Sequence, residues 1–141
     1  MTEPLPTRSQ LLQACRGRTP VDHFLAPHAR ELTVLHDRRL GEDRDATPVI
    51  DERRAQLVRG IDRWARANLP AVHGGAYLHT EGLGTIIDRL AERTAHACTA
   101  LMRNSDWELW FAWERLAELA VAYEDLATEL HAGRRRLPEI T

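Results

Sequence analysis

The chain has 141 residues, 43% of them hydrophobic and 28% charged, with 19 basic residues against 21 acidic ones and a formal charge of −2. That size suits one domain whose core needs neither metal nor disulfide staples. The near balance of charge excludes a global field for nucleic acid or a membrane surface, and the basic side is dominated by arginine, which grips planar anions in two-point fashion.

Helical punctuation recurs along the chain, and no stretch alternates as a strand does. Residues 1–6 lack the basic start and apolar run of a signal peptide, so a flexible lead and a cytoplasmic protein are expected. No uncharged apolar run reaches the roughly 18 residues of a membrane span. A short helix fits Thr7 to Arg16, capped by Thr7 or Ser9 and stopped by Gly17. A second helix starts between Pro20 and Pro27 and ends at Leu40 before Gly41, followed by an exposed polar loop from Glu42 to Ala46.

Thr47-Pro48 opens a third helix that runs to Asn68, where Leu69-Pro70 ends it. The Gly74-Gly75 loop leads into His79-Thr80-Glu81-Gly82-Leu83-Gly84, the start of a fourth helix reaching Met102, with Thr80 or Thr85 as its expected cap. Asn104-Ser105-Asp106 is a turn before the fifth helix, Trp107 to His131, which Gly133 closes. Short loops between long amphipathic helices predict an all-α fold: an antiparallel bundle of four main helices with an extra short N-terminal helix. The bundle occupies residues 7–133, and residues 134–141 form a solvated basic tail.

Projection at about 100° per residue places the apolar stripe of each helix. On the fourth helix it runs through Leu83, Ile86, Ile87, Leu90, Thr94, Ala97, Cys98 and Leu101, which predicts a buried Cys98 thiol. Glu81, Thr85, Asp88, Glu92 and His96 fall towards the opposite side, and a solvated polar face explains the Glu92/His96 spacing more simply than a metal pair. On the third helix Arg54 falls inside the stripe of Ile50, Leu57, Ile61, Trp64 and Ala65. On the second, His28 and Arg39 share the stripe of Leu25, Leu32 and Leu35.

A guanidinium on a core face is costly unless paired. Arg39 and Arg54 therefore either snorkel or form internal ion pairs with carboxylates such as Asp88, or they line a ligand site; His28 is either a satisfied core histidine or part of that site. The fifth helix carries more apolar surface than one stripe needs: Trp107, Trp110, Phe111 and Val121 point away from its main face. They cover the N-terminal helix, line a pocket mouth or make a homodimer contact.

No Glu-x-x-His pair, zinc signature, phosphate loop or nucleophile elbow occurs, so no metal or cofactor is expected. What remains is acid–base chemistry or binding. A helix start offers unpaired N–H groups and partial positive charge. Glu81 and His79 are the acid–base candidates there, and Arg54, Arg39, Arg89, His28 and Asp88 the candidate contacts to a small anionic metabolite. The alternative is a non-catalytic interaction or scaffold module that associates through the aromatic patch of Trp107, Trp110 and Phe111. Whether the protein is an enzyme is open at this point.

Two motifs also carry a family likeness: Ile50-Asp51-Glu52-Arg53-Arg54 running into Ile61-Asp62, and Thr80-Glu81-Gly82-Leu83-Gly84-Thr85-Ile86-Ile87-Asp88-Arg89-Leu90. Across residues 25–132 the chain resembles the bacterial domain-of-unknown-function family DUF4254. Members show Ile-(Asp/Asn)-x-x-Arg, then a Thr/Ser-Glu-Thr-Pro-Gly-like turn followed by Ile-Asp-Arg-Leu. The present chain departs at the turn, where Gly82-Leu83-Gly84 stands in place of Thr-Pro-Gly. The resemblance implies a small all-α bacterial protein, supplies no established activity, and marks Arg54, Asp62, Glu81, Gly84, Asp88 and Arg89 as the polar positions matching the pattern.

Overall fold

The computed structural model describes residues 3–41, 44–70, 72, 74–103 and 106–138. Five helices carry the fold among these residues: α1 (Arg8–Arg16), α2 (Ala26–Leu40), α3 (Thr47–Asn68), α4 (Leu83–Met102) and α5 (Asp106–His131). A 3-10 turn, Arg44–Ala46, leads into α3. Glu42 and Asp43 of the expected polar loop, and Asn104 and Ser105 of the expected turn before α5, lie outside the described residues.

Helix ends follow local chemistry. Thr7 Oγ1 accepts from the Gln10 N–H at 3.0 Å while Gln10 Oε1 accepts from the Thr7 N–H at 2.9 Å, a reciprocal capping box. Gly17 closes α1 at φ 71°, a left-handed backbone that glycine adopts without steric cost. Pro27 and Pro48 sit in the first turns of α2 and α3, where no helical N–H partner is lost.

Helix α4 is the hub, packing against α1, α2, α3 and α5. Its buried residues, including Leu83, Ile86, Ile87, Leu90, Ala91, Thr94 and Ala95, spread over much more of its circumference than one stripe. A single-stripe projection fails for a helix with neighbours on several sides. Asp88, expected to face away from the core, instead turns to α2 and α3 with its side chain only 16% exposed. Cys98, expected buried, is exposed together with Leu101, and the buried thiol is Cys15.

Two short strands add an element that the sequence pattern did not predict. β1 (Tyr77–Leu78) pairs in parallel with β2 (Arg135–Arg136), with Tyr77 opposite Arg135 and Leu78 opposite Arg136. The Tyr77 N–H donates to the Arg134 carbonyl at 3.0 Å and the His79 N–H to the Arg136 carbonyl at 2.8 Å. Residues 134–138, expected as a solvated tail, are thus docked beside the loop before α4, and Leu137 packs on the core.

The other end of the chain is also held. Residues 3–6, expected to be a flexible lead, bind through the Glu3 N–H to Asn68 Oδ1, the Leu5 N–H to His131 Nε2 and the Pro4 carbonyl to His23 Nε2. His23 Nδ1 accepts from the Leu25 N–H, so its Nε2 carries the proton that bonds Pro4. Buried Tyr123 donates its hydroxyl to the Pro6 carbonyl at 2.6 Å. Tyr123→Phe should therefore lose about 1–2 kcal/mol in urea denaturation, because a carbonyl against the core is left unpaired. An unchanged midpoint would show that water replaces the hydroxyl. No helix among the described residues is long and apolar enough to cross a membrane.

Candidate functional site

The start of α4 is built by close approach to α3. Asp62, in the C-terminal half of α3, accepts the Gly84 N–H on Oδ1 at 2.7 Å. A Cβ on Gly84 would collide with the Val58 carbonyl oxygen, and one on Gly82 would lie 2.8 Å from Asp62 Oδ1. The two glycines therefore let a carboxylate from the neighbouring helix reach the α4 N-terminus. This replaces the expected cap: neither Thr80 nor Thr85 makes a capping bond among the described residues, and Gly82 occupies the cap position. Burial pushes the Asp62 carboxyl above its ordinary range, and the Gly84 N–H opposes that only in part.

The residues singled out as candidates separate into three places. Arg54 and Arg39 join Asp88, Asp51 and His36 in a network between α2, α3 and α4. Arg54 Nη2 lies 2.6 Å from Asp88 Oδ2, Arg54 Nη1 lies 3.0 Å from Asp51 Oδ1, and Arg39 Nε lies 3.0 Å from Asp51 Oδ1. His36, only 4% exposed, meets Asp88 Oδ1 through Nε2 at 2.7 Å. Burial alone would raise the Asp88 pKa, but hydrogen bonds from His36 and Arg54 outweigh it and hold the carboxyl below its ordinary value. Arg54 and Asp88 satisfy one another here, and Arg39 is largely solvated.

Glu81 and Arg89 form a second place, paired at 2.8 Å and each a little over one-third exposed. The Arg89 hydrogen bond holds the Glu81 carboxyl below its ordinary range despite a small opposing effect of burial. His79, whose backbone bonds the tail, lies nearby. His28 stands apart, against Phe24 (ring centroids 5.4 Å) and close to Gly60, with burial lowering its pKa. None of these seven residues lines any of the four principal clefts. Among the described residues no three His, Cys, Asp or Glu side chains converge as a metal site would need.

One of those clefts abuts the start of α4. It has a volume of about 260 Å³ and is lined by Asp62 and Arg66 of α3, Gly82 and Leu83 of α4, and Arg135 and Arg136 of β2. Apolar floor is supplied by residues such as Leu69 and Leu130. Reading the sequence missed Arg66, Arg135 and Arg136 as site residues. The run of three arginines at 134–136 was the available signal, and only the β1–β2 pairing turns it towards α4. Also missed was His36, a buried partner of Asp88 next to Leu35 on the apolar face of α2.

The aromatic patch does not cover the N-terminal helix. Trp107, Trp110 and Phe111 are 70%, 56% and 49% exposed and stack on one another with centroids 5.9–6.1 Å apart. Contact with α1 is made lower on α5, where the Arg16 guanidinium sits 5.1 Å from the Trp113 ring centroid.

No curated protein and no solved structure matches the chain. The family model described as "Protein of unknown function (DUF4254)" matches residues 29–138, from α2 to the arginines that line the cleft. With more than three-quarters of its length matched, the chain belongs to the DUF4254 family.

Proposed function

We propose that the protein binds a small anionic ligand in the cleft at the start of α4. The observation that carries this reading is the concave meeting of Arg66, Arg135 and Arg136, none of which makes an ion pair among the described residues. Arginine side chains deliver fork-shaped donors that match carboxylate and phosphate groups. The nearby helix N-terminus adds favourable potential for an anion. Among the described lining residues Asp62 contributes the one opposing charge, already engaged with Gly84. Binding fits better than acid–base turnover, since Glu81 is partly solvated and held ionised by Arg89 rather than poised near neutrality. The arginine-lined site of the sequence reading is thereby kept in kind and moved in place. Antiparallel α2–α5 would agree with the short connections between them.

The test is calorimetric titration with inorganic phosphate and with phosphorylated and carboxylated metabolites. Binding should weaken about tenfold in Arg135→Gln, the worth of one charge-assisted hydrogen bond. It should be unchanged in Arg54→Met and tighter in Asp62→Asn, which removes the opposing charge. Binding that survives Arg135→Gln and Arg66→Gln but vanishes in Arg54→Met would return the site to the His36–Asp88 network. A second reading, association through Trp107, Trp110 and Phe111, is favoured by their exposure. Light scattering that finds a monomer for both wild type and Trp110→Ala would end it.

A further inference from the structure

Between α4 and α5 lies a separate cleft of about 470 Å³, on which the reading above makes no demand. Arg93 and His96 of α4 and Trp107, Phe111 and Arg115 of α5 line it, with Glu92 and Glu108. Its volume falls within the roughly 300–1,000 Å³ usual for small-molecule sites. Two features of its lining are hard to explain as packing.

The first is a pair of cations with no carboxylate in ion-pair contact among the described residues. Arg39, Arg53, Arg54, Arg89 and Arg134 each bridge a carboxylate, whereas among the described residues neither Arg93 nor Arg115 has one in ion-pair contact. Arg93 Nε is buried and has no hydrogen-bond partner among the described residues. Burial, and then the like charge of Arg115, work against the charged form of Arg93, and Glu92 and Glu118 offset them only in part. A buried donor left unpaired costs about 1–3 kcal/mol, and native proteins rarely leave one without a water, ion or ligand nearby. The two glutamates do not cancel the pair outright. Glu92 lies 4.0 Å from His36 Nδ1, and Glu108 is itself partnered.

The second feature is the aromatic wall. Trp107 and Phe111 leave large ring surfaces in water beside those cations, with their centroids 5.9 Å apart and their planes at 49°. A ring stacked there would remove apolar area from water, and offset or edge contacts between rings add further to that gain. Cations and rings together suit a ligand that is anionic at one end and aromatic at the other. Glutamates at the same cleft disfavour a multiply charged one.

We propose that this cleft binds an aromatic monocarboxylate, with the Arg93 and Arg115 guanidinium groups holding the carboxylate and the Trp107 and Phe111 rings flanking the arene. Calorimetric titration with 2-naphthoate tests it, using 2-naphthalenemethanol and acetate as the uncharged and ring-free controls. Saturable one-to-one binding at least tenfold tighter than either control is expected. Arg115→Gln should erase the preference over the alcohol, and Trp107→Ala the preference over acetate. Arg135→Gln should leave naphthoate binding intact, which separates this site from the cleft at the α4 start. Equal binding of acid and alcohol would overturn the proposal, as would loss of naphthoate binding in Arg135→Gln. A dimer that dissociates in Trp107→Ala and binds no naphthoate would overturn it too, assigning the patch to a second copy of the chain.

Discussion

Gly84→Ala is expected to destabilise the protein by about 3 kcal/mol, seen as a lower urea midpoint at an unchanged slope. At an ordinary helical position the same substitution would stabilise by roughly 0.5–1 kcal/mol, because alanine restricts the unfolded chain. Gly84 is helical and has no positive φ, so its conformation does not demand glycine. Space does. The added Cβ would fall on the Val58 backbone carbonyl oxygen, 2.8 Å from Val58 Cγ1 and 3.0 Å from Asp62 Oδ1. A carbonyl inside α3 cannot yield without moving the helix, so α3 and α4 must separate along their whole seam. Gly82→Ala should cost less, since the nearest atoms to its Cβ belong to the Asp62 carboxylate, a side-chain end that can shift by loosening its bond to the Gly84 N–H rather than by moving a helix. A gain in stability for Gly84→Ala would mean that the seam is looser than its geometry implies.

How much of this was legible beforehand depended on how local the cause was. Helix starts and stops at Thr7, Gly17, Pro48 and Gly41 follow from side-chain and backbone chemistry within a few residues, and they were readable. Arg54 on an apolar stripe was readable as well, together with Asp88 as a partner for it. The position of Asp88 was not, because projection assumes one covered face and α4 is covered by four helices. That same assumption misplaced Cys98. The cleft at the α4 start was least legible of all. It joins residues from 62 to 138 through a strand pair two residues long, too short to leave an alternation in the sequence. Glu81 and His79 suggested acid–base chemistry at the start of α4, whereas the glycines at 82 and 84 give the close packing that lets Asp62 cap the helix.

Asp88→Asn should lower stability by about 3 kcal/mol, a fall of roughly 10 °C in Tm for a chain of this size. Asp88 is where three helices meet: it accepts from His36 of α2 at 2.7 Å and from Arg54 of α3 through Nη2 at 2.6 Å and Nε at 3.3 Å. Asparagine keeps the shape but offers one acceptor oxygen and turns an N–H₂ donor towards groups that are themselves donors. The Arg54 side chain is 22% exposed, so water recovers part of its charge, which keeps the loss at the lower end for a broken buried pair. The pH dependence gives an independent reading. Since the folded Asp88 carboxyl lies below its ordinary 3.8, its contribution is present above that value and lost as pH falls through the folded pKa. The gap between wild type and Asp88→Asn should therefore be present above 3.8 and close as pH falls below it. A gap that persists unchanged in acid would assign the loss to packing around the amide rather than to the carboxylate. Arg54→Lys should recover little of what Arg54→Met loses, because a single ammonium cannot span both Asp88 oxygens while also reaching Asp51.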